Sequence, residues 1–187
     1  VLNNPITLIS IGRHTRLGDV LEQALSGVPF QTMQVEELSG AKTAGARLLF
    51  AASADVLGEN EQLRALTRRF RCGELRLKGA ACAVIADGEQ GGALQTDALQ
   101  LLLAASGAGA ACIPQPLLES HRDLKHFSNA GATARKTPFD AYVAQANALI
   151  RRLSKFEIER PEPTRVRLIS PLTGGPAKDW RSAMTRM

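Results

Sequence analysis

The stretch Ala81-Cys82-Ala83-Val84-Ile85-Ala86-Asp87-Gly88-Glu89-Gln90-Gly91-Gly92-Ala93-Leu94 runs an apolar strand into a glycine-rich turn that opens an apolar helix. A near-continuous apolar run such as Ala81–Ala86 is the mark of a parallel strand covered on both faces. In an open α/β sheet, the carboxyl ends of such strands are where ligands bind. One segment therefore points to both a fold class and a place for a site.

Working outward, Ile6–Ile11 is a second apolar, β-rich run, followed by Gly12-Arg13-His14-Thr15. Leu17, Val20, Leu21, Ala24 and Leu25 then fall at the i, i+3, i+4, i+7 and i+8 spacing of an amphipathic helix. Phe30–Val35 alternates like a short strand, and Ala46–Ala51 forms another apolar run. The connection between them, about ten residues, leaves room only for a short helix in a parallel crossover. Glu59–Phe70 reads as a helix with Leu63, Leu66 and Phe70 inward. The helix from about Leu94 to Ala105, with Leu99, Leu101, Leu102 and Leu103, is apolar around much of its circumference, and deep burial is expected. A strand over Ala110–Ile113 ends at Pro114. The last helix starts with Thr137 as cap and Pro138 in its first turn, and carries Phe139, Val143, Ala146, Ile150 and Leu153 at helical spacing.

Alternating strands and helices predict a three-layer α/β sandwich with a five-stranded parallel sheet in the flavodoxin-like order 2-1-3-4-5. This domain is expected over residues 1–156. Beyond it, Pro161, Pro163, Pro171, Pro176, Gly174 and Gly175 predict an extended tail over 157–187, in which Val166–Ile169 has the composition of an edge or exchanged strand.

With 187 residues, 44% hydrophobic and 22% charged, the chain has the composition of an ordinary globular protein rather than a disordered one. It contains no apolar run of about 20 residues, and its first residues lack the pattern of a signal peptide, so a cytoplasmic location without a membrane span is expected. Cys72, Cys82 and Cys112 have neither CxxC nor Cys/His spacing and read as structural thiols. The net charge of +5 is concentrated in Arg68, Arg69, Arg71, Arg76 and Lys78, with more in the tail. Aromatics are only 4% of the chain, and Phe70 alone interleaves with that cluster, so a base-stacking surface for nucleic acid is disfavoured and a solvated charged face is the better reading.

Three loops, Gly12–Thr15, Ala52–Gly58 and Asp87–Gly92, converge on the carboxyl rim of the predicted sheet. The first lies at a helix amino terminus, which favours an anion such as phosphate, and Arg13, His14, Thr15 and Arg16 add donors. Its bland reading is a helix capped by Thr15 with solvated basic residues. The second loop consists mainly of small residues, and Gly88, Gly91 and Gly92 in the third permit close backbone approach; the bland readings here are connecting turns required by packing. The chain lacks GxxxxGK[ST], GxGxxG and GxSxG motifs, which argues against a nucleotide hydrolase, a regular dinucleotide-binding domain and an esterase elbow. His121 and His126 read as surface or packing residues, and no metal site is expected.

Over about residues 5–156 the chain resembles the flavodoxin-like NAD(P)H-dependent FMN reductases. The resemblance is carried by the first strand ending in Gly12-Arg13, by the third-strand loop leading into Glu61-Gln62-Leu63-Arg64-Ala65-Leu66-Thr67-Arg68-Arg69-Phe70, by Leu77-Lys78-Gly79 before the fourth strand, and by Gly88–Gly92 with the helix after it. It implies FMN as cofactor and NAD(P)H as cosubstrate, with hydride passing through the flavin to a small-molecule electron acceptor such as a quinone. By resemblance, Arg13, His14, Thr15 and Arg16 hold the phosphate. Ser53, Ala54, Asp55 and Val56 line one side of the ring, and Asp87, Gly88, Gly91 and Gly92 the other. Cofactor chemistry of this kind needs no catalytic acid or base from the chain. A homo-oligomer, as a dimer, is also implied. The rival reading is a non-redox binding or assembly module of the same fold that has lost the flavin. It draws on the short first loop and on Ala52 and Ala54, where the family would place a proline and an aromatic residue.

Overall fold

Each apolar run identified in the sequence becomes a strand of one sheet. The computed structural model describes residues 5–12, 16–54, 60–88, 91–120 and 138–156. In chain order the elements are β1 (Ile6–Ile11), α1 (Arg16–Ala24), β2 (Phe30–Gln34), a 3-10 turn (Val35–Glu37), α2 (Gly40–Thr43), β3 (Arg47–Ser53), α3 (Glu61–Arg71), β4 (Ala81–Gly88), α4 (Gly91–Gly107), β5 (Ala111–Cys112), β6 (Leu117–Ser120) and α5 (Pro138–Ser154). All pairings are parallel and the order is β2-β1-β3-β4-β5, as the alternation predicts. The short β2–β3 connection holds the single turn of α2, in keeping with its length.

The sheet has a sixth strand that the sequence reading did not include. β5 pairs with β4 at Cys82↔Cys112, and β6 resumes the pairing at Ile85↔Leu117. Between those pairs Pro114 and Pro116 lack the N–H groups a ladder needs, so the chain bulges and then rejoins β4. The predicted fifth strand is thus two short pieces along one edge.

Strand periodicity divides the core into two layers. On one face Ile9, Ile11, Leu48, Phe50, Cys82 and Val84 pack under α3 and α4; on the other Leu8, Leu49, Ala83 and Ile85 pack under α1 and α5. The predicted stripe of α1 is buried from Leu17 to Leu25, as are Leu63, Leu66 and Phe70 of α3. Phe50 and Phe70 meet edge to face with ring centroids 6.1 Å apart. α3 ends in Arg68, Arg69 and Arg71, cations placed where the negative end of its dipole favours them.

Two expectations for α4 are corrected. The helix begins at Gly91, so Gly91 and Gly92 are its first residues rather than part of the turn. It is also buried on one side only: Leu94, Ala98, Leu101 and Ala105 face the sheet, whereas Leu103 is 70% exposed and Leu99 is exposed with it. A helix lying on the outside of a sheet has one covered stripe, and Leu99 and Leu103 fall outside it. Thr137, His121, His126 and the predicted tail over 157–187 lie outside the described residues. No helix among the described residues is long and apolar enough to cross a membrane.

Phe50 is fully buried between the layers, so Phe50→Ala is expected to cost about 3–5 kcal/mol through lost transfer energy and a residual cavity. Leu103→Ala, on the open side of α4, should change stability by less than about 0.5 kcal/mol. Urea unfolding of both variants followed by circular dichroism measures the contrast.

Candidate functional site

β1, β3 and β4 end at the same edge, and between β1 and β3 the strand order reverses, which is the switch point where open α/β sheets form their ligand crevice. That crevice is organised by Asn60. As the N-cap of α3, its Oδ1 accepts from the Leu63 N–H at 2.9 Å, while Nδ2 donates to the Ser53 carbonyl at 2.7 Å and to the Ile11 carbonyl at 3.2 Å. One side chain, 7% exposed, thereby ties the ends of β1 and β3 to the start of α3.

Gly12, the first residue after β1, is required by this arrangement. Its φ is +88°, and a Cβ there would lie 2.9 Å from Asn60 Nδ2 and 3.2 Å from the Ser53 carbonyl. Only glycine can turn the chain there. Its N–H donates to Gln62 Oε1 at 2.8 Å, so the second residue of α3 also holds the start of the first loop. Beside Gly12, a recess of about 270 Å³ opens between the ends of β1 and β2 and the first turn of α3, lined by Ser10, Gln34, Glu36, Asn60 and Gln62 among others.

The ends of β3 and β4 close on each other. Ser53 and Asp87 are register partners, and the Ser53 hydroxyl donates to Asp87 Oδ1. The Ala54 N–H donates to the Asp87 carbonyl at 2.9 Å, extending the ladder one step past β3. Asp87 is only 3% exposed, and its alternation with Ile85 sets it on the face covered by α1 and α5. Gly88 has a packing reason to be glycine: a Cβ would stand 3.1 Å from Ala54 Cβ and 3.3 Å from Leu94 Cδ2. From α5, the chain's single tyrosine, Tyr142, donates its hydroxyl to the Ala86 carbonyl at 3.1 Å. Arg16, the first residue of α1, stacks its guanidinium 6.0 Å above the ring of Phe139.

Of the residues expected at the site, the structure brings Ser53, Ala54, Asp87 and Gly88 into one contact group. Arg16 stands at the head of α1, and Gly91 and Gly92 at the head of α4. Arg13, His14, Thr15, Asp55 and Val56 lie outside the described residues. Sequence reasoning missed Asn60, Gln62 and Tyr142. An asparagine directly before Glu61-Gln62 is a recognisable cap signal. Gln62 and Tyr142 carry no such signal, because their partners are 50 and 56 residues away. The described residues include no group of three or more His, Cys, Asp and Glu placed to hold a metal ion.

The fold and its rim define a flavodoxin-like α/β protein. No protein-family model and no curated protein matches the chain. Solved structures do. Oxidised flavodoxin 1 from Bacillus cereus aligns with a TM-score of 0.58 at 10% identity, covering 83% of this chain and all of its own (100%). A flavodoxin variant from Fusobacterium nucleatum bound to flavin mononucleotide gives 0.52 at 11%, covering 81% and 95%. Rubredoxin oxygen:oxidoreductase from the anaerobe Desulfovibrio gigas gives 0.54 at 9%, covering 81% of this chain and 36% of that one. At such identities the likeness is one of fold.

Asn60→Asp keeps the cap acceptor for Leu63 but replaces the amide donor by an acceptor, leaving the Ile11 and Ser53 carbonyls without it. Leaving buried carbonyls unmatched costs about 1–3 kcal/mol each. The variant should therefore lose about 2–4 kcal/mol in denaturant unfolding, and amide hydrogen exchange should speed up at the ends of β1 and β3 before the rest of the sheet.

Proposed function

We propose that this chain is an FMN-binding redox protein whose cofactor lies on the rim formed by the ends of β1, β3 and β4. The observation that carries the reading is the convergence, at the sheet's switch point, of the α1 amino terminus, the Gly12 turn and the closed ends of β3 and β4. It is supported by the fold shared with a flavin-bound flavodoxin.

The residues present fit such a group. At the phosphate end, the nine-residue α1 presents the positive end of its dipole, with Arg16 in its first turn. We assign Arg13, His14 and Thr15 to the same role from their place in the sequence. At the ring end, Ser53, Ala54, Asp87 and Gly88 make a floor in which the Ser53 hydroxyl and the Ala54 N–H both bond to Asp87. The Asp87 carboxylate is turned into the protein and bonded to Ser53, so it sets no exposed charge against a flavin that becomes anionic on reduction. Asp55 and Val56, with Gly91 and Gly92, would complete the two walls. Bound FMN would supply the electron-transfer chemistry, and the chain would bind, orient and shield it.

Titrating the protein with FMN, followed by flavin fluorescence and the visible spectrum, is expected to give saturable binding of one flavin per chain; no binding overturns the reading and selects a non-redox module. Thr15→Asp is expected to weaken FMN affinity by at least about tenfold, or ~1.4 kcal/mol, because it sets like charge against the phosphate. Aspartate is a good N-cap, so the melting temperature should hardly change. Unchanged affinity in that variant would remove the phosphate site from the first loop.

The finer proposal, hydride from NAD(P)H through the flavin to a small acceptor such as a quinone, rests on the sequence resemblance to the NAD(P)H-dependent FMN reductases. FMN-loaded protein should then oxidise NADH or NADPH when a quinone is supplied. A loaded protein that accepts electrons from a chemical reductant but from neither nicotinamide would be an electron carrier instead.

A further inference from the structure

Far from the rim, β4 and β5 bring two thiols together. Cys82 and Cys112 are direct register partners in the parallel ladder. Neighbouring strands run about 4.8 Å apart, inside the roughly 4.4–6.8 Å range of Cα separations that disulfides span. Both side chains belong to the layer under α3 and α4. Their surroundings differ. Cys82 is completely buried in a central strand, whereas Cys112, on the edge strand, is half-buried and approaches the Leu102 carbonyl of α4 at 3.5 Å.

We propose that Cys82 and Cys112 form a peroxide-reactive dithiol, with Cys112 as the attacking sulfur and Cys82 as the resolving one. The Cys112 thiolate sulfur attacks one oxygen of a hydroperoxide. The O–O bond breaks, the other oxygen leaves and takes up a proton, and Cys112 becomes a sulfenic acid. Cys82 then gives up its proton as its sulfur attacks Cys112; the S–S bond forms, the S–O bond breaks, and the departing hydroxide leaves as water. With hydrogen peroxide, the pair of thiols gives up two electrons and two protons, the peroxide is reduced to two waters, and the disulfide remains.

The division of labour follows from the environment. Pairing with the Cys82 thiol holds the Cys112 thiol below its ordinary range, against the opposing effect of partial burial. The same pairing, with burial next, holds Cys82 well above it. The sulfur that a solute can approach is thus the one favoured as thiolate, and thiolate is the reactive form. Cys82 is reached by its neighbour's sulfur, not by solvent. This pair is independent of the flavin reading, since it lies at the amino end of β4 while Asp87 and Gly88 lie at the carboxyl end.

The test uses the full chain without added cofactor. The protein is treated with stoichiometric hydrogen peroxide, its remaining thiols are alkylated after unfolding, and the products are mapped by mass spectrometry. Exposed Cys72 serves as the internal control. The expected result is loss of two of the three thiols, a mass lower by two hydrogens, and a bridged peptide joining Cys82 to Cys112, all reversed by dithiothreitol. In Cys82→Ala, Cys112 should stop at the sulfenic acid and be trapped by dimedone; in Cys112→Ser, Cys82 should stay reduced. The proposal is overturned if Cys82 and Cys112 both remain alkylatable while Cys72 is oxidised, or if the bridge involves Cys72 or a second chain. The map of the unsubstituted protein decides the matter even where a variant fails to fold.

Discussion

Strands β3 and β4 must be covered on both faces, and most other features follow from that requirement. From Leu48 to Ala52 and from Ala81 to Ala86 every residue is buried. Side chains alternate across a sheet, so two helix layers are needed, and parallel strands can be joined only by crossovers that supply them. With every strand running the same way, each crossover leaves the sheet at its carboxyl edge. The helix amino termini, with their free N–H groups, therefore gather where the strands stop. The rim results from the core's composition before any ligand is considered.

Such an edge exposes backbone groups that regular pairing no longer satisfies, and this chain closes them with few side chains. Asn60 serves two carbonyls and one N–H, Gln62 takes the Gly12 N–H, Tyr142 reaches the Ala86 carbonyl, and Ser53 meets Asp87. These groups are paired because leaving a buried one unmade would cost more than a bond gains. Gly12 is obligatory for its dihedral and its crowded Cβ position, and a Cβ at Gly88 would press on Ala54 and Leu94. Glycine at the rim thus has a structural cause whether or not a ligand is present, so the flavin reading rests on the convergence of the rim and not on the glycines.

The fold was legible in the sequence where burial is periodic. The stripe from Leu17 to Leu25, the inward residues of α3 and the apolar run of β4 are patterns within a dozen residues, and they led directly to the strand order observed. Legibility failed where structure depends on partners distant in the chain. β6 is four residues long behind two prolines, and only the free edge of β4 makes it a strand. Leu99 and Leu103 have the same composition as their buried neighbours, and which side of α4 faces the sheet is set by tertiary packing. At the site, the loops were found by their place after the strands, whereas the atoms that organise them come from Asn60, Gln62 and Tyr142, chosen by contacts across the fold.

The two ends of β4 are chemically distinct yet mechanically joined. Cys82 and Asp87 are five residues apart in one extended strand, about 17 Å at the rise of a parallel ladder, too far for direct contact. α4 spans the interval: it begins at Gly91 just past the rim and presents the Leu102 carbonyl to Cys112 near its far end. A bond between Cys82 and Cys112 would draw the edge strand and the central strand together beneath this helix. Close-packed interiors transmit strain through rigid elements, and two such elements, β4 itself and α4 with Leu94 beside Gly88, connect the thiol pair to the rim.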